Sequence, residues 1–103
     1  MKTRLERMDE FVLLLGKERK SEDGYVSITI SEVMKRLDLP TRPDFDTVFE
    51  DARTKGFVEM KPTTTGVNIQ DGTIRLRLTI DGDTYYQEVN EKVERLKAAQ
   101  SRQ

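Results

Sequence analysis

The chain has 103 residues and a net charge of −1, with 36% charged and 35% hydrophobic side chains, which suits one small domain. This balance argues against a protein that coats nucleic acid without specificity, since such proteins are usually strongly basic, but it allows a local basic patch. Because the chain has neither cysteine nor histidine, disulfides, thiolate metal sites and histidine-based catalysis are excluded.

The first predicted element is a helix over residues 3–20. Its apolar residues recur every three or four positions, and the run from Phe11 to Leu15 widens this stripe around the helix. One neighbouring element cannot cover so wide a surface. The helix therefore either lies at the centre of the domain or contacts another chain with one side. The stripe consists of Leu5, Met8, Val12 and Leu15.

A helix-turn-helix unit is predicted over about residues 29–56, after a short alternating strand at 25–30. Thr29 and Glu32 have the spacing of a capping box, so Thr29 is expected to cap the first of these helices. The second helix begins near Thr41, with Pro43 in its first turn and Gly56 after its end. Its buried face is predicted to consist of Phe45, Val48, Phe49 and Ala52.

A β-hairpin is predicted over about residues 57–80, because Asp71–Gly72 is a strong signal for a two-residue turn. This turn places Val67 opposite Leu76 and Ile69 opposite Ile74. The apolar residues of the returning strand then share one face of the hairpin, and the arginines between them share the other face.

The last predicted element is a helix over about residues 81–99. Thr79, Asp81 and Asp83 suit its N-terminus, where side-chain oxygens cap free N–H groups and negative charge is favoured.

The adjacent Tyr85 and Tyr86 either stack on a ligand or divide between core and rim, and we favour the second interpretation. One apolar seam of this helix packs on the first helix or forms a homodimer, and we favour the homodimer. The seam consists of Tyr86, Val89, Val93 and Leu96.

Three stretches, "ITISEVMKRLDLP", "FEDARTKGFVEMK" and "RLRLTIDGDTYYQEV", occur in the order of the predicted elements. Together they resemble the winged helix-turn-helix fold and, within it, the MarR-like and PadR-like regulators. Leu78, Thr79 and Gly82 match a Leu-Thr-x-x-Gly junction between the wing and the dimerisation helix of that family. The predicted fold is therefore α+β and mostly helical, a single winged-helix domain over residues 1–103 with an added C-terminal dimerisation helix.

The resemblance implies a DNA-binding transcriptional regulator that acts as a homodimer. The hairpin would then be the wing, which in such proteins contacts the DNA backbone or minor groove and positions the protein without reading sequence.

The residues expected to contact double-stranded DNA are Lys35, Arg36, Thr41, Arg42, Thr47, Arg53, Arg75 and Arg77. The residues expected at the dimer interface are Leu5, Met8, Phe11, Val12, Tyr86, Val89, Val93 and Leu96. For Arg75 and Arg77, the alternative is a solvated face or a salt bridge to Glu59.

The presumed recognition helix also supports a different function. Its exposed face is predicted to carry four acids and only one arginine, Arg53, which conflicts with entry into a groove flanked by phosphates. Helix 44–54 would then bind a protein, and the chain would be an interaction module in a larger assembly without direct DNA reading. The four acids are Asp44, Asp46, Glu50 and Asp51.

Catalysis is not expected, because no set of carboxylates or lysines converges in the sequence. Neither a cofactor nor a metal is expected. No apolar run approaches the roughly 20 residues of a membrane span, and the first ten residues lack the layout of a signal peptide. The sequence therefore predicts a cytoplasmic protein.

Overall fold

The structure, a computed structural model, describes residues 3–60 and 72–101. Over these two ranges the chain is α+β and mostly helical, with four helices and a three-stranded antiparallel sheet, which confirms the predicted class. The helices are α1 (Arg4–Lys17), α2 (Ile30–Arg36), α3 (Arg42–Thr54) and α4 (Ile80–Ser101). The strands are β1 (Val26–Thr29), β2 (Val58–Met60) and β3 (Thr73–Leu78).

Each helix of the described ranges begins directly after a threonine. The hydroxyl oxygens of Thr3, Thr29 and Thr41 each accept a hydrogen bond from the backbone N–H three residues later. Thr79 does the same before α4, accepting from the N–H of Gly82 at 3.0 Å. These bonds satisfy N–H groups that have no partner within the helix. The predicted cap at Thr29 is confirmed.

The sheet has the order β1-β3-β2, and its register corrects the predicted hairpin. Leu76 pairs with Val26 of β1 on one side and with Met60 of β2 on the other, so both of its pairing positions are taken by residues other than the predicted partner. The apolar alternation of β3 matches residues 58–60 as well as residues 67–69, and the tight-turn signal favoured the wrong match. The predicted turn at Asp71 and the partner Ile69 lie outside the described residues.

The first helix, α1, lies at the centre of the domain, where it contacts α3, α4 and β3. Phe11 meets Phe45 and Phe49 of α3 edge to face, with ring centroids 6.4 Å apart in both pairs. The run from Phe11 to Leu15 is therefore covered by its own chain, with only Leu13 half-buried. This places α1 at the centre of the domain, as the first of the two interpretations predicts, and contact of α1 with another chain stays a prediction.

Burial within the chain also corrects part of the predicted dimer interface. Four of its eight residues are at least 93% buried inside the domain, so they offer no surface to a second copy. Their apolar spacing reflects the core of one chain, since a core face and an interface face have the same periodicity. The four residues are Met8, Phe11, Val12 and Val89.

The N-terminal half of α4 is fixed to the domain at two close contacts. The carbonyl oxygen of Phe57 accepts a hydrogen bond from the N–H of Thr79 at 3.0 Å, and Gly82 lies directly against the same carbonyl. Further along, the ring of Tyr86 covers Gly16 of α1. Towards its C-terminus the helix leaves the domain: Val93 is half-buried and Leu96 is 64% exposed.

Candidate nucleic-acid interface

Helix α3 buries Phe45, Val48 and Ala52 in the core. One flank of the helix lies beside the charged residues of α1, and the opposite face is exposed to solvent. Two of its four acids face α1. Asp51 accepts two hydrogen bonds from the guanidinium of Arg4, at 3.1 and 2.6 Å. Asp44 lies 3.6 Å from Arg7 Nη1. These pairs neutralise one flank of α3, and the hydrogen bond to Asp51 raises the pKa of the Arg4 guanidinium.

The outward face of α3 is consequently less acidic than the sequence predicts. Arg42 Nε lies 3.1 Å from Asp46 Oδ1, and Arg53 Nη1 lies 3.4 Å from Glu50 Oε1. This face therefore carries two arginines and two acids, with the exposed Thr47 between them. The prediction of four exposed acids is corrected because Asp44 and Asp51 are turned towards α1.

The threonines near the start of α3 form hydrogen bonds within the helix itself. Thr41 accepts from the N–H of Asp44 and donates its hydroxyl proton to Asp44 Oδ2 at 2.8 Å. Thr47 donates to the carbonyl oxygen of Pro43 at 3.0 Å. Arg53 stands eleven residues after Arg42, which is about 16 Å along the helix axis. The structure thus places Thr41, Arg42 and Thr47 near one end of α3 and Arg53 near the other.

Helix α2 contributes Lys35 and Arg36, both exposed near its C-terminal end. Arg36 Nη1 forms a short ion pair with Glu18 Oε2. Glu18 is the residue that ends α1, where its N–H donates to the carbonyl oxygen of Leu14 at 3.0 Å. The pair therefore ties α2 to the end of α1.

The side chains of Arg75 and Arg77 point away from the core, as predicted. Arg75 Nη2 lies 3.1 Å from Asp23 Oδ2. Arg77 forms a short ion pair with Glu59, its cross-strand neighbour, and its guanidinium lies over the ring of Tyr25 at 4.8 Å. The salt bridge to Glu59 that the sequence offered as an alternative is thus present in the structure. The hydrogen bond that Arg77 donates to Glu59 raises the pKa of the Arg77 guanidinium.

All five arginines predicted to contact DNA therefore have a carboxylate partner within the chain. Three residues of these ion pairs, Arg4, Arg7 and Asp23, were not predicted from the sequence. A signal for the first two was available: Arg4 and Arg7 lie on one face of α1, and Asp44 and Asp51 lie on one face of α3. Asp23–Gly24, a turn dipeptide directly before β1, was the signal for the third.

The two tyrosines of α4 are parts of the domain's packing. Tyr85 stacks on Phe57, with ring centroids 4.4 Å apart, and donates its hydroxyl to Asp9 Oδ1 at 2.5 Å. Burial, followed by the hydrogen bond to Asp9, raises the pKa of Tyr85 to about 12. Tyr86 covers Gly16. The interpretation that divides these tyrosines between core and rim is the one that fits these contacts.

Residues 3–60 and 72–101 include no helix with the length and apolar character needed to cross a membrane. They also include no group of three or more acids placed to hold a metal ion. Comparison with protein-family models, with curated proteins and with solved structures gives no match to this chain.

Proposed function

We propose that the chain is a winged helix-turn-helix protein that binds double-stranded DNA as a homodimeric transcriptional regulator. The element order supports this fold, since a helix and strand precede the pair α2 and α3, and a strand pair and a long helix follow it. The strand order β1-β3-β2 puts the last strand in the middle of the sheet, as a wing attached to the helical core requires. In this proposal α3 is the recognition helix, and β2 and β3 form the base of the wing.

The single observation that carries the proposal is the charge distribution around α3. Arg4 and Arg7 of α1 hold Asp51 and Asp44 on the flank of α3, at 2.6 and 3.6 Å. The face that would enter the major groove is left with balanced charge, so it is not repelled by the phosphates on both sides of the groove. This removes the main objection that the sequence raised against DNA binding.

The proposed contacts divide into two roles. Thr47 and Arg42, on the outward face of α3, are proposed to reach base edges. Lys35 and Arg36 of α2 and Arg75 of β3 are proposed to bind phosphates, which fixes the protein on the duplex without reading sequence.

A duplex titration at several salt concentrations tests the proposal. Fluorescence anisotropy of labelled duplexes from the gene's own upstream region should show binding that weakens steeply with salt. We expect Arg75→Ala and Arg42→Ala each to weaken binding about threefold to tenfold at low salt, because the first removes a phosphate contact and the second removes a base contact. Arg95→Ala is the matched control, since it removes the same charge from an exposed site on α4. The proposal fails if no duplex binds at low salt, or if Arg95→Ala has the same effect as the other two.

A second candidate function, a winged-helix protein-interaction module, is favoured by Ile80. This residue is 88% exposed at the start of α4, and it lines a shallow groove with Arg77 and Asp81. A partner captured from host cells by the wild type, lost with Ile80→Ser and retained with Ala98→Ser, would support this function. Tighter DNA binding by Asp46→Lys and Glu50→Lys, with no partner lost, would contradict it.

A further inference from the structure

The turn between α1 and β1 holds one carboxylate in a fixed position. Asp23 Oδ1 accepts a hydrogen bond from the N–H of Tyr25 at 3.1 Å. The turn is closed by two backbone hydrogen bonds: from the N–H of Gly24 to Ser21 at 2.9 Å, and from the N–H of Ser21 to Tyr25 at 2.8 Å. Gly24 has a φ of +84°, a conformation that glycine adopts without strain. The carboxylate of Asp23 is therefore oriented by the backbone before it meets any cation.

The second oxygen of this carboxylate contacts the proposed wing. Asp23 Oδ2 lies 3.1 Å from Arg75 Nη2, and the two side chains are 31% and 42% exposed. The pair is thus accessible to a competing anion. A DNA phosphate offers a guanidinium two anionic oxygen acceptors, as the carboxylate does.

Arg77 is held more firmly than Arg75. Its guanidinium pairs with Glu59 and also lies over the ring of Tyr25, so two contacts would be lost if it moved to a phosphate. The exchange of carboxylate for phosphate is therefore expected at Arg75 and not at Arg77.

We infer that Asp23 is an autoinhibitory residue that occupies Arg75 in the free protein and is displaced by DNA phosphate on binding. This inference rests on the proposed DNA-binding function. Glu18, at the other end of the same segment, holds Arg36 of α2 in the same way. One short connection thus places a carboxylate on two of the arginines proposed to bind phosphate, and it sets the affinity of the protein for DNA below what its arginines alone would give.

Two neutral variants of the same turn separate the local contact from the overall charge. Asp23→Asn keeps an oxygen that can accept from the N–H of Tyr25, so it removes the negative charge without removing the turn. Glu22→Gln is the matched control, because Glu22 is exposed next to Asp23 and forms no ion pair among the described residues. Both variants change the net charge by the same amount.

We expect Asp23→Asn to bind duplex DNA about twofold to fivefold more tightly at low salt, which is the range of an exposed ion pair. Glu22→Gln should bind as the wild type does. The salt dependence should change as well. In the wild type, the displaced Asp23 carboxylate remains near the bound phosphate and partly offsets the charge of Arg75, whereas the side chain of Asp23→Asn is neutral. The slope of log K against log salt should therefore be steeper in Asp23→Asn alone.

The outcomes are distinguishable by anisotropy titration of one duplex with the three proteins. Tighter binding and a steeper slope in Asp23→Asn alone support the inference. Binding of the duplex by Asp23→Asn, when the wild type shows no binding, supports it as well. Equal effects of the two variants, or no effect of Asp23→Asn while the wild type binds, overturn the inference and leave the proposed function standing. Absence of binding by all three overturns the proposed function and this inference with it. Circular dichroism of each variant checks that the fold is retained.

Discussion

Tyr85 connects three parts of the chain through one side chain. Its ring stacks on Phe57, which precedes β2, and its hydroxyl donates to Asp9 of α1 at 2.5 Å. Burial is the main reason that its pKa rises to about 12, because the phenolate would lose its hydration there. The nearby carboxylates of Asp9 and Glu88 act in the same direction, since they repel a second negative charge.

This pKa predicts how stability depends on pH at the alkaline end. In the unfolded chain a tyrosine loses its proton near pH 10, so at pH between about 10 and 12 the folded state binds more protons at Tyr85 than the unfolded state. The contribution of Tyr85 is therefore complete below about pH 10 and is lost as the pH rises through about 12. Urea unfolding of the wild type and of Tyr85→Phe should show a difference in stability that shrinks over this interval. A constant difference from pH 9 to pH 12 would contradict the assignment.

At the scale of elements, the start of α4 depends on a close approach that only glycine allows. A Cβ atom on Gly82 would lie 1.8 Å from the carbonyl oxygen of Phe57, which is backbone and cannot rotate away. A Cβ atom on Gly16 would meet the ring of Tyr86 at 2.3 Å, but that ring is a side chain. The steric clash caused by replacing Gly16 can therefore be relieved by moving one side chain. The clash caused by replacing Gly82 can be relieved only by a shift of the backbone.

We predict that Gly82→Ala lowers the free energy of unfolding by about 1–3 kcal/mol, the usual cost of overpacking, although alanine is the better helix former. Gly16→Ala should also destabilise, and Tyr86→Ala should relieve most of that effect in the double variant. Chemical denaturation measures all of these, and the exposed Thr84→Ala in the same turn as Gly82 serves as the control. A Gly82→Ala variant as stable as the wild type would show that α4 can shift away from Phe57.

The elements differ in how far the sequence alone determined them. The helices were predictable because each signal is local: Thr29 and Thr41 precede their helices and cap them within three residues. The strand register was not, because the alternation in β3 fits two different partners and only the whole sheet selects Met60 opposite Leu76. The direction of Asp44 and Asp51 also depended on where α1 lies, which no local pattern of α3 contains.

The candidate site shows the same limit. The outward direction of Arg75 and Arg77 followed from strand alternation, which is a local property. The carboxylates that pair with them were not equally predictable. Glu59 was predictable as a cross-strand neighbour of Arg77, whereas Asp23, the partner of Arg75, lies far along the chain in a turn. Apolar periodicity likewise did not distinguish the core residue Val89 from the exposed Leu96, because both lie on one seam of α4.

At the scale of the whole molecule, the C-terminal end of α4 is the apolar surface that is left exposed for the proposed contact with a second copy of the chain. Helical turns with few contacts to their own domain are marginally stable in water, so the last turns of this 22-residue helix gain from packing against another surface. Leu96 is 64% exposed and Val93 is half-buried there, and Leu5 of α1 is 58% exposed. The proposed homodimer therefore uses the C-terminal half of the seam and not its buried N-terminal half.

We predict that Leu96→Glu converts the dimer to a monomer, because it places a charge in the apolar centre of the proposed interface. Ala98→Glu adds the same charge on a different face of the same helix and should leave the dimer intact. Sedimentation equilibrium at micromolar concentrations measures the mass directly. Leu96→Glu should also weaken DNA binding, because two recognition helices about 34 Å apart can no longer bind two half-sites together. A wild type that sediments as a monomer, or a Leu96→Glu variant that stays dimeric, would contradict this interface.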